Sequence, residues 1–256
     1  MPPGTMPAMT PEERYFFDIN GYLVVPGVLD TAEVGHLNAV LDRQALPEPG
    51  SSIQSQRFQA DFLGWDPACL RLLDHERMLP LIEELCGSFV RLDHAYGILM
   101  SPGTYGLGLH GNATPWDPSS YYVWHGGRMH NGLIVVSYAL VDVGPGDGGF
   151  CCIPGSHKSN LRLPEGVDRL PEHLRLVRQI PHRAGDVVAF TEALTHGTLP
   201  WNASYQRRHL LFKYSPGNST WERAKPFPEA LDQALTPRQR RLVEPPYVGS
   251  RSAVSQ

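Results

Sequence analysis

The chain has 256 residues, of which 41% are hydrophobic, and a formal net charge of −4 at pH 7. This length suits one large domain or two small ones, and all-β barrels commonly reach it as a single domain. The mild acidity argues against nucleic-acid polymers and membrane surfaces as partners, because both favour a basic face. The 25 glycines and 24 prolines exceed ordinary usage and favour many short strands joined by turns.

The cysteines and the N-terminus predict a cytoplasmic protein. Cys69, Cys86, Cys151 and Cys152 show no CxxC spacing, so we expect reduced thiols rather than a zinc or redox site. Residues 1–9 have neither the basic start nor the apolar run of a signal peptide and are predicted to be a disordered tail. No apolar stretch approaches the roughly 18 residues that a membrane span needs.

The region from about residue 10 to 88 is predicted to be mainly helical. Helix starts are marked by a capping residue followed by an acidic residue three positions later, and helix ends by glycine. The predicted elements are a helix capped by Thr10 with Pro11 at its first position, a strand at Tyr22–Val25, a helix capped by Asp30 with Glu33, and a helix from about Leu79 to Cys86 ended by Gly87.

From Val90 onward, short β-type runs alternate with turns rich in glycine and proline. Several short strands at this spacing predict a sandwich or barrel. We therefore expect a mainly β domain with its barrel at about 90–217 and the N-terminal helices packed outside, and residues 10–256 form one predicted domain. The predicted strands are Arg91–Met100, Gly132–Val143, Phe150–Ile153, Leu174–Ile180, Asp186–Phe190 and Arg208–Tyr214, and a last helix starts at Thr236-Pro237.

Two histidines of the predicted barrel suggest a metal site. His110 follows a Gly-rich turn, and His196 comes 86 residues later, after an apolar strand and a loop. Two neutral imidazoles with open positions suit an iron(II) ion that activates dioxygen. Arg207, eleven residues after His196, can clamp a carboxylate bidentately, and Thr198 can add a hydroxyl to the same group. Spacing alone leaves metal binding and an ordinary structural role for each histidine equally open.

Collinear motifs strengthen the metal interpretation. They are Phe17–Pro26, Leu109–Asn112, Asp142–Phe150, Ile153–Lys158, Ala184–Val187, and His196–Thr198 followed by Arg207-Arg208. Over about residues 11–217 the chain resembles the phytanoyl-CoA dioxygenase family. The resemblance implies a double-stranded β-helix (a jelly roll of the cupin type) that binds Fe(II) and 2-oxoglutarate. It implies that His110 and His196 bind iron, that Arg207 (or Arg208, if the strand faces the other way) binds 2-oxoglutarate, and that Thr198 lies near the cosubstrate.

Asn112 departs from the family pattern. Iron(II) oxygenases of this kind normally take a third protein ligand from an Asp or Glu two residues after the first histidine, and none of the eleven histidines has that spacing. The third position, at Asn112 and Gly111, is then left to a weak amide ligand, to water or to a halide. The loss resembles iron/2-oxoglutarate halogenases, in which chloride occupies that place and restores the missing negative charge.

Three functions remain open from the sequence. The preferred one is radical halogenation (chlorination) of an aliphatic C–H bond of a small molecule, with Fe(II), 2-oxoglutarate, O2 and chloride. The alternatives are hydroxylation by a conventional dioxygenase and a catalytically silent small-molecule binding protein, although retention of both histidines and Arg207 argues against the last. Candidate residues around the site are Tyr122, Trp124, His94 and Asn131 for the substrate pocket, and Glu192 as a partner that orients His196.

Overall fold

The N-terminal third is helical and the remainder mainly β, as the sequence predicts. The computed structural model describes residues 8–44, 46, 56–58, 60–111, 114–164, 175–223 and 227–255. The α-helices are α1 (Pro11–Asn20), α2 (Thr31–Asp42), α3 (Pro67–Arg71), α4 (Leu79–Cys86), α5 (Glu229–Asp232) and α6 (Pro237–Leu242). The strands are β1 (Tyr22–Val25), β2 (Gln56–Phe58), β3 (Val90–Met100), β4 (Leu107–His110), β5 (Tyr122–His125), β6 (Arg128–Asn131), β7 (Ile134–Ala139), β8 (Gly149–Cys152), β9 (Arg178–Gln179), β10 (Val187–Thr191), β11 (His196–Leu199) and β12 (Arg207–Pro216).

The first two helices begin at capping boxes. The Thr10 hydroxyl accepts a hydrogen bond from the Glu13 backbone N–H at 3.1 Å, and the Glu13 carboxylate accepts one from the Thr10 N–H at 2.7 Å. Asp30 and Glu33 make the same reciprocal pair at the start of α2. These bonds satisfy backbone donors that the helix itself leaves unpaired, so local sequence alone is enough to place both starts.

The strands of the described residues form two facing antiparallel sheets and a hairpin. The larger sheet has six strands in the order β1-β10-β7-β12-β3-β2, and the smaller has four in the order β4-β11-β8-β9. β5 and β6 form a separate two-stranded hairpin. This arrangement confirms the predicted mainly β jelly roll, with helices packed on the outer face of the larger sheet.

Two apolar cores lie on opposite faces of the larger sheet, and β12 shows how the sequence divides between them. Leu210, Phe212 and Tyr214 pack with the helices, whereas Leu211 packs in the interior between the two sheets. Successive side chains of a strand point to opposite faces, so alternate positions share the interior. Pairing with β3 shifts register immediately after Lys213. The polar side chains on the interior face of β12 are Arg207, His209 and Lys213.

Several elements differ from their predicted bounds. The run predicted as one strand at Gly132–Val143 is shorter, at Ile134–Ala139, and the preceding β5–β6 hairpin was not predicted. Of the strand predicted at Leu174–Ile180, β9 contains only Arg178–Gln179, and Leu174 lies outside the described residues. Long apolar runs include residues that continue beyond the paired segment, so hydrophobicity alone overestimates strand length.

Other sequence predictions concern the tail, the thiols and the membrane. Residues 1–7 of the predicted tail lie outside the described residues, but Met9 is fully buried in the helix-side core. All four cysteines are buried and form no disulfide. None of the helices in the described part of the chain is long and apolar enough to cross a membrane.

Candidate active site

The two predicted metal ligands face each other across a strand pair. His110 ends β4 and His196 begins β11, and the two residues are direct partners in the antiparallel register. Their ring centroids are 4.3 Å apart. His196 is buried against the rings of Phe150 and Phe190, whereas His110 is exposed at the end of the barrel. The register thus brings together residues that are far apart in sequence.

Backbone carbonyls fix which nitrogen of each ring is free. His110 Nδ1 lies 3.0 Å from the Gly108 carbonyl oxygen, and His196 Nδ1 lies 2.7 Å from that of Leu194. A carbonyl only accepts, so each Nδ1 carries the proton and donates it, which leaves a lone pair on each Nε2. Burial lowers the pKa of His196 to about 4. The ring is therefore neutral near pH 7, the form that binds a metal.

Gly111 allows the chain to leave His110 in close contact with the loop that leads into His196. Its φ is +81°, and an added Cβ would lie 2.4 Å from the Leu194 carbonyl oxygen and 2.8 Å from that of Glu192. These contacts leave no room for a side chain at Gly111, and the halide position predicted at Gly111 stays a prediction. Asn112, the predicted third-ligand or halide position, lies outside the described residues.

Glu192 lies on the metal-binding side of His196. Its Oε2 atom is 4.0 Å from His196 Nε2, and its Oε1 atom accepts a hydrogen bond from Lys213 Nζ. Burial favours a raised pKa for the Glu192 carboxyl, but the charge and hydrogen bond of Lys213 and the neighbouring histidines together outweigh it and hold the pKa at about 2. The carboxylate is therefore charged near pH 7. As they stand, no three His, Cys, Asp or Glu side chains within the described ranges are close enough together to hold a metal ion.

Arg207 has an unsatisfied guanidinium in the interior. The residue is 3% exposed, its Nη1 donates to the Met100 sulfur at 3.2 Å, and its buried Nε has no hydrogen-bond partner. Burial lowers its pKa to about 10, so the side chain stays charged at pH 7. A buried donor without an acceptor is costly, and a carboxylate ligand such as that of 2-oxoglutarate would satisfy it.

Only some of the predicted cosubstrate residues face the barrel interior. Arg208, the alternative to Arg207, points away from the interior and pairs with Asp42 at 2.7 Å. Thr198 lies two residues after His196 on β11, opposite Phe150, and is half-buried on the same face. The structure therefore puts Arg207 and Thr198, but not Arg208, on the side of the paired histidines.

A chain of hydrogen bonds beside Arg207 joins three polar residues of the interior. His182 Nδ1 donates to the Ile180 carbonyl at 2.7 Å, so its Nε2 accepts from His209 Nε2 at 3.2 Å. His209 Nδ1 then accepts from the Ser137 hydroxyl at 2.9 Å. The two bonds in which a ring nitrogen accepts require that ring to be neutral, and burial lowers the pKa of both histidines, that of His182 to about 4.

The four predicted pocket residues are not brought together. His94 faces the interior opposite Lys213 on the neighbouring strand. Tyr122 donates its hydroxyl to Asp18, and Trp124 is 57% exposed on the hairpin. Asn131 is fully buried, and its amide donates to the Leu85 carbonyl at the end of α4 at 3.0 Å. Of the four, only His94 contacts the residues around Lys213.

Sequence reasoning missed part of the site. Tyr96 and Trp221 stack on the two sides of His94, with centroid distances of 5.8 and 5.6 Å, and the Lys213 ammonium lies 5.7 and 5.3 Å from those two rings. Lys213 follows Arg207 by six residues, an even spacing that places both on one face of a strand, and this signal was available. Trp221 comes from a loop after β12, and no local pattern points to it.

This geometry defines a class of protein. Fe(II)/2-oxoglutarate oxygenases have this arrangement: a jelly roll with two imidazole Nε2 atoms available and a buried arginine whose Nε has no hydrogen-bond partner. The chain belongs to the phytanoyl-CoA dioxygenase (PhyH) family, whose model matches residues 17–210. It is 25% identical over 274 residues to the ectoine dioxygenase of Nocardia farcinica, a match that covers 94% of this chain and 85% of the relative.

Solved structures agree with this family assignment. The crystal structure of HygX from Streptomyces hygroscopicus with nickel and 2-oxoglutarate bound is 28% identical, with a TM-score of 0.74 over 84% of this chain and 90% of that one. HygX with nickel, 2-oxoglutarate and hygromycin B bound is 26% identical, with a TM-score of 0.75 over 96% and 99%. The carbocyclase SnoK of nogalamycin biosynthesis, at 20% identity and a TM-score of 0.60, covering 86% of this chain and 90% of that one, shares the fold. The protein is thus an oxygenase-type enzyme, and the solved structures of HygX hold nickel with 2-oxoglutarate or iron.

Proposed function

We propose that the protein hydroxylates an aliphatic C–H bond of a small molecule, with His110 and His196 as iron ligands and Arg207 as the residue that binds 2-oxoglutarate. The proposal depends on one observation: both Nε2 lone pairs are free at one end of the barrel, while the buried Nε of Arg207 lacks an acceptor inside it. Bound iron would supply the oxidising chemistry. In the overall reaction 2-oxoglutarate, O2 and the substrate give succinate, CO2 and an alcohol. One atom of O2 enters succinate and the other enters the alcohol.

The residues of the chain would perform the binding and orientation. The carbonyls of Gly108 and Leu194 hold each imidazole with its Nε2 toward the iron site. Arg207 would bind the distal carboxylate of 2-oxoglutarate, with Thr198 as an additional hydroxyl. The aromatic rings of Tyr96 and Trp221, stacked with His94, would line the substrate pocket beside Lys213. Relatives named for ectoine or crystallised with hygromycin B support a small polar substrate.

Chlorination is a second candidate, which one observation favours: Asn112 stands where an Asp or Glu is usual. In that reaction chloride and a proton are also consumed, and the products are an alkyl chloride, succinate, CO2 and water. The carboxylate of Glu192, which faces His196 Nε2, disfavours a second anion at the iron site. Hydroxylation therefore takes precedence over the chlorination that the sequence favours.

Substrate-dependent succinate release tests the proposal. The enzyme would be assayed with Fe(II), 2-oxoglutarate and O2 against a panel of small polar metabolites, with succinate and product masses measured by mass spectrometry. We expect succinate and a product heavier by one oxygen atom in equal amounts, and loss of both in His110→Ala. The control His125→Ala changes an exposed histidine of the β5–β6 hairpin and should leave turnover intact.

The same assay separates the competing functions. Chloride-dependent succinate release with a chlorinated product would replace hydroxylation by halogenation, whereas indifference to chloride would remove the halogenase. Tight 2-oxoglutarate binding without turnover of any metabolite in the panel would indicate the silent binding protein and overturn the enzyme.

A further inference from the structure

We propose that Glu192 is the third protein ligand of the iron, and that it supplies the carboxylate that the position of Asn112 lacks. This inference rests on the proposed function, because it takes the iron site to be that of His110 and His196. It differs from the orienting role that the sequence suggests for Glu192. The carboxylate comes from the loop between β10 and β11 instead of from the turn after β4.

The side of His196 that Glu192 contacts separates a ligand from an orienting partner. A residue that orients a metal-bound histidine normally accepts a hydrogen bond from the ring nitrogen that does not bind the metal. In His196 that nitrogen is Nδ1, and its partner is the Leu194 carbonyl at 2.7 Å. Glu192 Oε2 instead faces Nε2, the nitrogen left for the metal. Glu192 is therefore placed where a ligand belongs.

The distance agrees with a shared metal ion. Metal–ligand bonds of about 2.1 Å put two ligand atoms about 3 Å apart when they are at right angles and about 4 Å apart when they are opposite. Glu192 Oε2 and His196 Nε2 are 4.0 Å apart, so a rotation of the carboxylate that closes this gap by about 1 Å is enough for adjacent coordination. Such a rotation involves only the side chain.

The turn after His110 brings the first histidine to the same place. The Cβ position of Gly111 lies 2.8 Å from the Glu192 carbonyl oxygen and 3.1 Å from His196 Nδ1. The backbone that carries Glu192 is therefore in contact with the backbone that follows His110. Because Glu192 Oε2 lies 4.0 Å from His196 Nε2, an iron ion bound to that nitrogen would lie within reach of the Glu192 carboxylate.

Lys213 explains how this carboxylate is kept charged in a buried place. Its ammonium holds Oε1, which leaves Oε2 for the metal and favours coordination through a single oxygen. Iron(II), two neutral imidazoles and one carboxylate give the same net charge as the usual set with an Asp or Glu after the first histidine. No external anion is then needed for charge balance.

Metal binding without turnover tests the inference. Anaerobic titration with Co(II), followed by its visible absorption and by calorimetry, measures affinity in the wild type, Glu192→Gln and the control Glu76→Gln, which changes an exposed glutamate of another region. We expect Glu192→Gln to weaken Co(II) binding by more than about 100-fold, beyond the loss typical of an outer partner, and Glu76→Gln to have no effect. Circular dichroism would verify that each variant is folded.

A second set of variants relocates the carboxylate and controls for the buried lysine. Glu192→Gln leaves Lys213 without its anion, so Glu192→Gln combined with Lys213→Met would show whether an unpaired charge causes any loss of binding. Adding Asn112→Asp to Glu192→Gln should restore Co(II) affinity to within about tenfold of the wild type, because a carboxylate returns to the metal from the usual position.

Two outcomes are distinguishable failures. If His196→Ala abolishes Co(II) binding while Glu192→Gln binds it as the wild type does, the iron site stands and Glu192 is not its ligand. If neither His110→Ala nor His196→Ala changes Co(II) binding, the proposed function fails together with this inference. Recovery of affinity in the Glu192→Gln, Lys213→Met pair would likewise overturn ligation, since the effect would then come from the unpaired lysine.

Discussion

Two adjacent arginines show how strongly a single position in a strand decides a role. Arg207 is buried in the interior with an unpaired Nε, whereas Arg208 faces outward and pairs with Asp42. Both have the same chemistry, and alternation along β12 alone separates them. The pair therefore provides a matched experiment on the binding of 2-oxoglutarate.

Arg207→Met should raise the KM for 2-oxoglutarate by at least about 100-fold, because it removes a buried, bidentate partner of the carboxylate. Arg208→Met should change the KM for 2-oxoglutarate by less than about threefold, because Arg208 faces away from the interior and pairs with Asp42. Steady-state succinate release and isothermal titration with 2-oxoglutarate would measure both. Equal effects of the two substitutions would contradict the assignment of Arg207.

The roles of single site residues could be predicted where a motif or a spacing marks them, but not where they depend on a side-chain contact between distant segments. His110, His196 and Arg207 were recognisable from their motifs, and the structure brings the two histidines together. The Glu192–Lys213 pair was not recognisable, because its members are joined only by the packing of the β10–β11 loop over β12. The four-residue spacing from His196 suggested an orienting role for Glu192, because spacing indicates proximity but not which ring nitrogen the carboxylate meets.

Among the structural elements, the turn after β4 is closely constrained by its neighbours. Gly111 combines a φ of +81° with carbonyl oxygens 2.4 and 2.8 Å from its Cβ position. Gly103 has nearly the same φ, +80°, with nothing within 4 Å of that position. The two glycines share the backbone requirement and differ in the close approach.

Gly103→Ala should lower the free energy of unfolding by about 1 to 2 kcal/mol, the cost of a left-handed conformation. Gly111→Ala should lower it further and also weaken Co(II) binding, because the new methyl group pushes the His110 turn away from the Glu192–His196 loop. Urea denaturation and Co(II) titration of both variants would measure these effects. If the two variants were equally stable and bound Co(II) equally, the close contact between Gly111 and the carbonyl oxygens of Leu194 and Glu192 would not affect metal binding.

Elements marked by local chemistry were predicted better than those set by pairing. The capping residues Thr10 and Asp30 define helix starts within a few residues of sequence, and both starts are confirmed. β11 starts at His196 and was not predicted as a strand, because its four-residue sequence contains only one large apolar residue, Leu199. Its existence depends on pairing with β4 and β8, which lie far away in the chain.

Over the whole molecule, buried neutral histidines couple stability to pH. His182 must be neutral to accept the hydrogen bond from His209, and burial holds the pKa of His182 at about 4. The ordinary pKa of histidine is about 6.5, so between the two values the unfolded chain binds the proton and the folded one does not. The contribution of the neutral His182 ring to the free energy of unfolding is therefore complete above about pH 6.5 and is lost as the pH falls toward 4.

Lowering the pH from about 7 to 4 should cost up to about 3 kcal/mol of unfolding free energy for His182 alone. The His182→Asn variant should be less stable than the wild type near neutral pH but lose less on acidification. Urea denaturation at several pH values would measure both slopes, with His125→Asn on the exposed hairpin as the control. Parallel slopes for the wild type and His182→Asn would show that another group dominates the acid sensitivity.

The placement of Arg207 and Lys213 on β12 has a consequence for chain length. Six residues of extended strand separate them by about 20 Å, and their side chains lie at opposite ends of the interior, one at the proposed cosubstrate end and the other beside His196. Inserting or deleting one residue between them would turn one of the two outward, since side chains alternate. The register shift that follows Lys213 lies outside this interval. We therefore expect both roles to depend on the length of β12 between Arg207 and Lys213, and a change of one residue to be tolerated only outside this interval.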